Sequence, residues 1–148
     1  MNDAASAILS SPRYKRITDS IRSFPENSDL YRQRGTLLLQ DRQYELARLD
    51  HQKAWELKGD ETTGLDYATS LLLASDTPAA VKLLQECRNR FTTYSEFSRR
   101  LSELYTEGGD WDKARKEYES VLRRDSLDFM AWYELGQLSL RMRDTATA

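Results

Sequence analysis

One cysteine and one histidine stand in the whole 148-residue sequence. With Cys87 alone, an internal disulfide and any Cys-cluster zinc site are excluded. With His51 alone, a multi-histidine metal site is excluded. No metal and no cofactor are expected. Proline and glycine are sparse, at three and six residues, which favours long helices over a turn-rich β architecture. No apolar run approaches the roughly 18 residues that cross a bilayer. Residues 1–11 lack the basic n-region and apolar h-region of a signal peptide. A dominant charge sign is missing too: the formal net charge is −2, the pI is near 5.5, and both signs are interspersed. Nucleic-acid binding needs a basic excess, so no nucleic-acid partner is expected. The basic pairs Arg99-Arg100 and Arg123-Arg124 sit beside Glu and Asp and read as solvated helix faces.

Large aromatic residues are plentiful, with eight Tyr, four Phe and three Trp. Disordered chains lack them, so an ordered fold is expected. The strongest signal is internal. Tyr44-Glu-Leu-Ala47-Arg-Leu-Asp-His51 recurs as Thr77-Pro-Ala-Ala80-Val-Lys-Leu-Leu84 and as Trp111-Asp-Lys-Ala114-Arg-Lys-Glu-Tyr118, with the alanines 33 and 34 residues apart. A small residue upstream keeps the same step: Gly35, Ala68, Ser102, Gly136. Glycine inside a helix costs ~1 kcal/mol relative to alanine. A neighbouring helix that must come close explains it, and Ala47, Ala80 and Ala114 fit the partner side of that approach.

This period and these residues resemble the tetratricopeptide-repeat (TPR) pattern W-x2-L-G-x2-Y…A-x3-F…P. Trp132-Tyr-Glu-Leu135-Gly136 is the fullest match. The first unit gives Tyr31-x2-Arg34-Gly35-x2-Leu38, then Ala47-x3-His51. The third gives Leu101-Ser102-x2-Tyr105, then Ala114-x3-Tyr118. The second is the most degenerate, and the closing proline is replaced by Gly59, Thr92 and Ser126. The resemblance covers about residues 12–143. It implies an all-α fold, a right-handed α-solenoid of antiparallel helix pairs. About three TPR units are expected, with an N-terminal capping helix and a C-terminal helix.

The expected organisation is a flexible lead-in over 1–11, a solenoid domain over 12–143 and a tail over 144–148. Ser11 reads as an N-cap before Pro12, and Pro25 stops the first helix. The units give helices at 28–40 and 43–58, 61–74 and 78–91, 95–107 and 111–124, followed by a last helix at 128–142. Gly108-Gly109 ends one helix and Asp110 caps the next. Trp132, Leu135, Leu138 and Met142 are expected to pack back on the third unit. The last helix is then either a terminal cap or the start of a further repeat.

No catalytic constellation survives inspection, and an enzyme is not expected. His51 takes the Phe place of A-x3-F and reads as structural. Cys87 takes a small-residue place and reads as a buried thiol. Gly108-Gly109 lacks the rest of a phosphate loop.

The resemblance implies a concave face lined by the first helix of each unit, on one helical stripe. Its candidate partner-binding residues are Arg32, Thr36 and Leu39; Leu65, Thr69 and Leu72; Arg99, Glu103 and Glu107; and Tyr133 and Gln137. An apolar centre with a polar surround suits a peptide or helix, and the acids of the third unit favour Lys or Arg on the partner. The other reading has the second-unit leucines Leu65, Leu72 and Leu73 packing on a neighbouring helix or the N-terminal cap. The carboxylate clamp of TPR co-chaperones would fall on Arg32, Thr36, Asp66, Glu96 and Arg100. Asp66 and Glu96 would repel a carboxylate, so that clamp is not expected.

The function expected is a protein–protein interaction scaffold with a protein or peptide partner and no small-molecule substrate. The alternative is a structural self-association module, a homo-oligomer, or part of a longer TPR array. As written the chain reads as cytoplasmic. Its polar lead-in and half-repeat also resemble bacterial TPR lipoproteins of the envelope after loss of the signal segment.

Overall fold

The computed structural model describes residues 2–147. Among them are nine α-helices and no strand: α1 Asp3–Ser10, α2 Pro12–Ser23, α3 Ser28–Gln40, α4 Tyr44–Lys58, α5 Glu61–Leu73, α6 Thr77–Arg90, α7 Glu96–Glu107, α8 Trp111–Arg124 and α9 Phe129–Thr147. No helix of the described residues is long and apolar enough to cross a membrane. The chain divides into two compact units, Met1–Ala80 and Val81–Ala148, with the division inside α6. One domain over 12–143 was the expectation. In a repeat array each repeat packs only on its neighbours, so such a chain divides more readily than a globular core.

The six helices of the three units begin and end within one residue of expectation, because their caps are legible. Asn27 accepts the Asp29 backbone N–H at 3.0 Å. Asp60 and Thr63 form a reciprocal capping box at 2.9 and 3.0 Å, and Asp110 accepts the Lys113 N–H at 3.4 Å. The turn inside each pair also repeats. Arg42, Ser75 and Gly109 hold left-handed φ values of 59°, 63° and 77°. The next backbone N–H reaches back to Leu38, Leu71 and Tyr105 carbonyls, each at 2.8 Å. This αL closure satisfies orphan carbonyls at the helix end and normally favours glycine; only the third turn has one.

Three expectations fail at the ends. The lead-in is not a flexible segment: Asn2 Oδ1 caps α1 through the Ala5 N–H at 2.8 Å, and Ala5 and Leu9 are buried. Eight residues make a weak helix alone, so tertiary contact stabilises this one. Ser11 does not cap α2 with its side chain; its hydroxyl donates to the Ile8 carbonyl at 2.6 Å instead. The tail is not separate from the last helix, since α9 runs through to Thr147. Ala148 lies outside the described residues.

In the first unit Leu9, Tyr14, Leu38 and Ala47 form a buried cluster that joins α1, α2, α3 and α4. Beside it, α3 and α4 cross at Gly35. A Cβ there would lie 2.5 Å from His51 Nε2 and 2.6 Å from Cδ2. The place of the motif leucine holds Arg34 instead. Its Nε and Nη2 donate to the two Asp50 oxygens at 2.7 and 2.8 Å, and Nη1 donates to Thr18 Oγ1 of α2 at 3.2 Å. Both charged side chains are nearly buried, at 10% and 7% exposure.

In the second unit Phe97 is fully buried, stacked on Phe91 and edge-on to Tyr94. Ser102 stands where Gly35 stands in the first unit. It is small enough for its Oγ to sit 3.4 Å from the Ala114 carbonyl oxygen of α8. Ala114, Tyr118 and Leu138 form one cluster, Val121, Leu122 and Ala131 another. Leu135, Leu138 and Met142 pack back onto α8 as expected. Trp132 does not; it is 56% exposed, and its Nε1 donates to the Ser126 carbonyl. Gly136 also departs from expectation, since nothing lies within 4 Å of a Cβ built on it.

Removing one partner of a buried ion pair strands the other charge, so Arg34→Ala is expected to cost ~3–5 kcal/mol. An Arg34→Met/Asp50→Leu double variant should recover most of it, read by urea unfolding. Gly35→Ala should destabilise by ~1–3 kcal/mol through overpacking, and His51→Ala in the same chain should relieve part of that loss.

Candidate functional site

Helices α7, α8 and α9 of the second unit enclose a groove of about 350 Å³. Their helical stripes place three carboxylates in it, Glu103 and Glu107 one turn apart on α7 and Glu134 on α9. Tyr118 and Tyr133 supply two rings. Thr106, Gln137, Leu138 and Arg141 complete the lining. Tyr118 is 4% exposed and Tyr133 59% exposed, so one ring is a buried wall and the other stands at the rim. Burial pushes the Tyr118 hydroxyl up to about 12, helped by Glu134 and Glu103. Burial also raises the Glu103 carboxyl. Arg100 opposes that shift, while Glu96, Glu134 and Glu107 reinforce it. Carboxylates gathered beside rings attract a cation through both charge and the ring faces.

Four sequence-predicted residues, Glu103, Glu107, Tyr133 and Gln137, come together here. Arg99 instead pairs with Asp128. In the first unit, Arg32 donates to Asp66 at 2.8 Å and lies 3.7 Å from Asp29. With Gln33, Thr36 and Leu37 it lines a shallow cavity of about 360 Å³. Thr36 and Thr69 turn their hydroxyls onto the carbonyls one turn back, those of Arg32 and Leu65. Leu65 and Leu72 are half-buried. Leu39, expected on the binding face, packs instead against the Leu9–Tyr14–Leu38–Ala47 cluster. Tyr118 and Glu134 were missed. Tyr118 fills the Phe place of A-x3-F and reads as core; its hydroxyl, which phenylalanine lacks, was the available signal.

A family model described as tetratricopeptide repeat matches residues 99–148, the stretch that carries this groove. The helix pairs, the turn and the small-residue crossings repeat at its period. Residues 99–148 match the tetratricopeptide-repeat model, and the chain as a whole has the fold of TPR structures. No curated protein matches it. Solved TPR structures share the fold. The first TPR of Spaghetti (RPAP3), bound to the HSP90 peptide SRMEEVD, is 16% identical with a TM-score of 0.65, over 78% of this chain and 93% of that one. MamA 41-end from Desulfovibrio magneticus RS-1 is 16% identical with a TM-score of 0.71, over 98% and 80%. Another MamA crystal structure is 19% identical with a TM-score of 0.70, over 88% and 78%. The fold is the all-α helical repeat of the solenoid class, used by non-catalytic protein-interaction modules.

The two nucleophile and base candidates that the sequence offered, Cys87 and His51, are buried. Cys87 is fully buried, and burial pushes its thiol to about 11, so the reactive thiolate is absent at neutral pH. His51 is 1% exposed. Its Nδ1 is hydrogen-bonded to Ser70 Oγ, and its Nε2 is buried without a partner. Burial is the main cause that lowers its pKa below 6.5.

His51 folded therefore binds a proton less readily than His51 unfolded. Its contribution is pH-independent above about 6.5, and stability falls as pH drops below that value toward the folded pKa. Unfolding free energy should decline between pH 7 and 5, and His51→Phe, which restores the motif ring, should flatten that slope in a pH series of urea melts.

Proposed function

We propose that this protein is an interaction scaffold whose second unit captures a peptide or helix bearing a Lys or Arg side chain. One observation carries the reading: Glu103, Glu107 and Glu134 converge with Tyr118 and Tyr133 on one groove. The family and fold are those of protein-interaction modules, and a neighbour of the same fold holds a peptide. Binding a basic side chain there would bring opposite charges together and lay its apolar stem along the rings. The HSP90 peptide seen with that neighbour is acidic, and the present groove is acidic as well. In the first unit the cation that a carboxylate would seek, Arg32, is already held by Asp66 and Asp29. Selectivity for basic over acidic segments follows.

Fluorescence anisotropy with a labelled Lys/Arg-containing peptide tests this. Binding should weaken with salt, because partly exposed charges are screened. Glu103→Gln/Glu107→Gln should weaken it by roughly tenfold, equivalent to ~1.4 kcal/mol. Tyr133→Ala should weaken it with little change in Tm, and an EEVD-ended peptide should not compete. Equal affinity for acidic and basic peptides, or indifference to these substitutions, rejects the reading.

A further inference from the structure

The groove of the second unit changes its chemistry within one helical turn. Its acidic part is built from Glu103 and Glu107 of α7 and Glu134 of α9. One turn nearer the start of both helices the charges are already matched. Arg99, four residues before Glu103, pairs with Asp128, and the two side chains are 22% and 13% exposed. Asp128 also accepts the Ala131 N–H at 2.9 Å at the start of α9. Glu96 lies 3.3 Å from Arg100. Beside these matched charges stand exposed apolar side chains. Met130 and Tyr133 are 58% and 59% exposed. Met130 precedes Glu134 by four residues, so the two share one stripe of α9, about 6 Å apart along its axis. Exposed apolar groups beside convergent polar ones mark a contact surface.

A segment whose basic side chain enters the acidic part meets Met130 and Tyr133 one turn along. An extended segment would need partners there for its backbone N–H and C=O groups. Arg99 and Asp128, the charged side chains nearest the start of α9, already bond each other. A helix satisfies its backbone internally and asks only for side-chain contacts. Its side chains four apart lie about 6 Å from one another on one face, which is the step from Glu134 to Met130.

We propose that the partner segment is an amphipathic helix with two anchors one turn apart: a Lys or Arg among Glu103, Glu107 and Glu134, and an apolar side chain on Met130 and Tyr133. This rests on the acidic-groove reading and adds what selects among basic segments. A basic segment without the apolar anchor keeps the charge attraction but leaves Met130 uncovered. A partner with both anchors buries the Met130 side chain and gains from the apolar area removed from water.

Labelled peptides on one helical frame of Ala and Gln, titrated with the full chain and read by anisotropy, test this. One carries Lys alone. A second adds Leu four positions to each side of the Lys, on the same helical face. A third has the Leu two positions to each side, a spacing that shares a face with Lys only in an extended chain. A fourth keeps the four-residue Leu spacing and replaces the Lys with Gln. The second should bind roughly tenfold tighter than Lys alone, and the third no tighter than Lys alone. Met130→Gln should erase that gain, leave the affinity for Lys alone unchanged and hold Tm, because the side chain is exposed; Met130→Leu should keep the gain. Equal binding of the second and third peptides, tighter binding of the third, or a gain that survives Met130→Gln overturns the two-anchor helix while the acidic-groove reading stands. If the fourth peptide binds as tightly as the second, or none binds, both readings fall.

Discussion

Two helices lie close along their length only where a side chain is nearly missing from the crossing. The α3–α4 and α7–α8 pairs meet that constraint with different residues. Gly35 leaves room for an imidazole ring against bare backbone. Ser102 lets a hydroxyl reach the carbonyl of the facing alanine. The facing alanines Ala47 and Ala114 are fully buried. Interiors are packed as densely as organic crystals, so one extra methyl at such a point has nowhere to go. The period of the repeat is the spacing of these contacts.

Around that constraint the two units use different chemistry. The first replaces the motif leucine with Arg34 and answers it with Asp50 in the next helix, while Thr18 links the pair to α2. It also replaces the motif phenylalanine with His51. Buried polar groups of this kind add little net stability but are costly to leave half-paired. The second unit keeps an aromatic and aliphatic interior around Phe97 and Tyr118, buries Glu117 in a pair with Arg88, and gathers Glu103, Glu107 and Glu134 on the groove side of α7 and α9. Tyr118 serves both, as a core residue by position and a groove wall by surface.

The helices of the repeats were legible because each signal is local. Asp110 announces a helix start, and Gly108-Gly109 announces an end. Four groove residues were legible for a related reason: once the helix register is known, Glu103, Glu107, Tyr133 and Gln137 fall on predictable faces. Helix α1 was not legible. Ala5 and Leu9 form too short an apolar pair to stand out, and the helix owes its order to α2, α3 and α4. Leu39 was assigned to a binding face because nothing in its own helix reveals that the N-terminal helices cover it.

What the sequence by itself determined is the period, the helix limits and the small residues that permit close crossing. All three are written in contacts between residues a few positions apart, or in identity repeated at a fixed step. Only the tertiary structure decided which of those small residues are in use. Gly35 and Ser102 are filled crossings, whereas Gly136 stands open. The same motif produces both outcomes, because a glycine can permit a neighbour but cannot supply one.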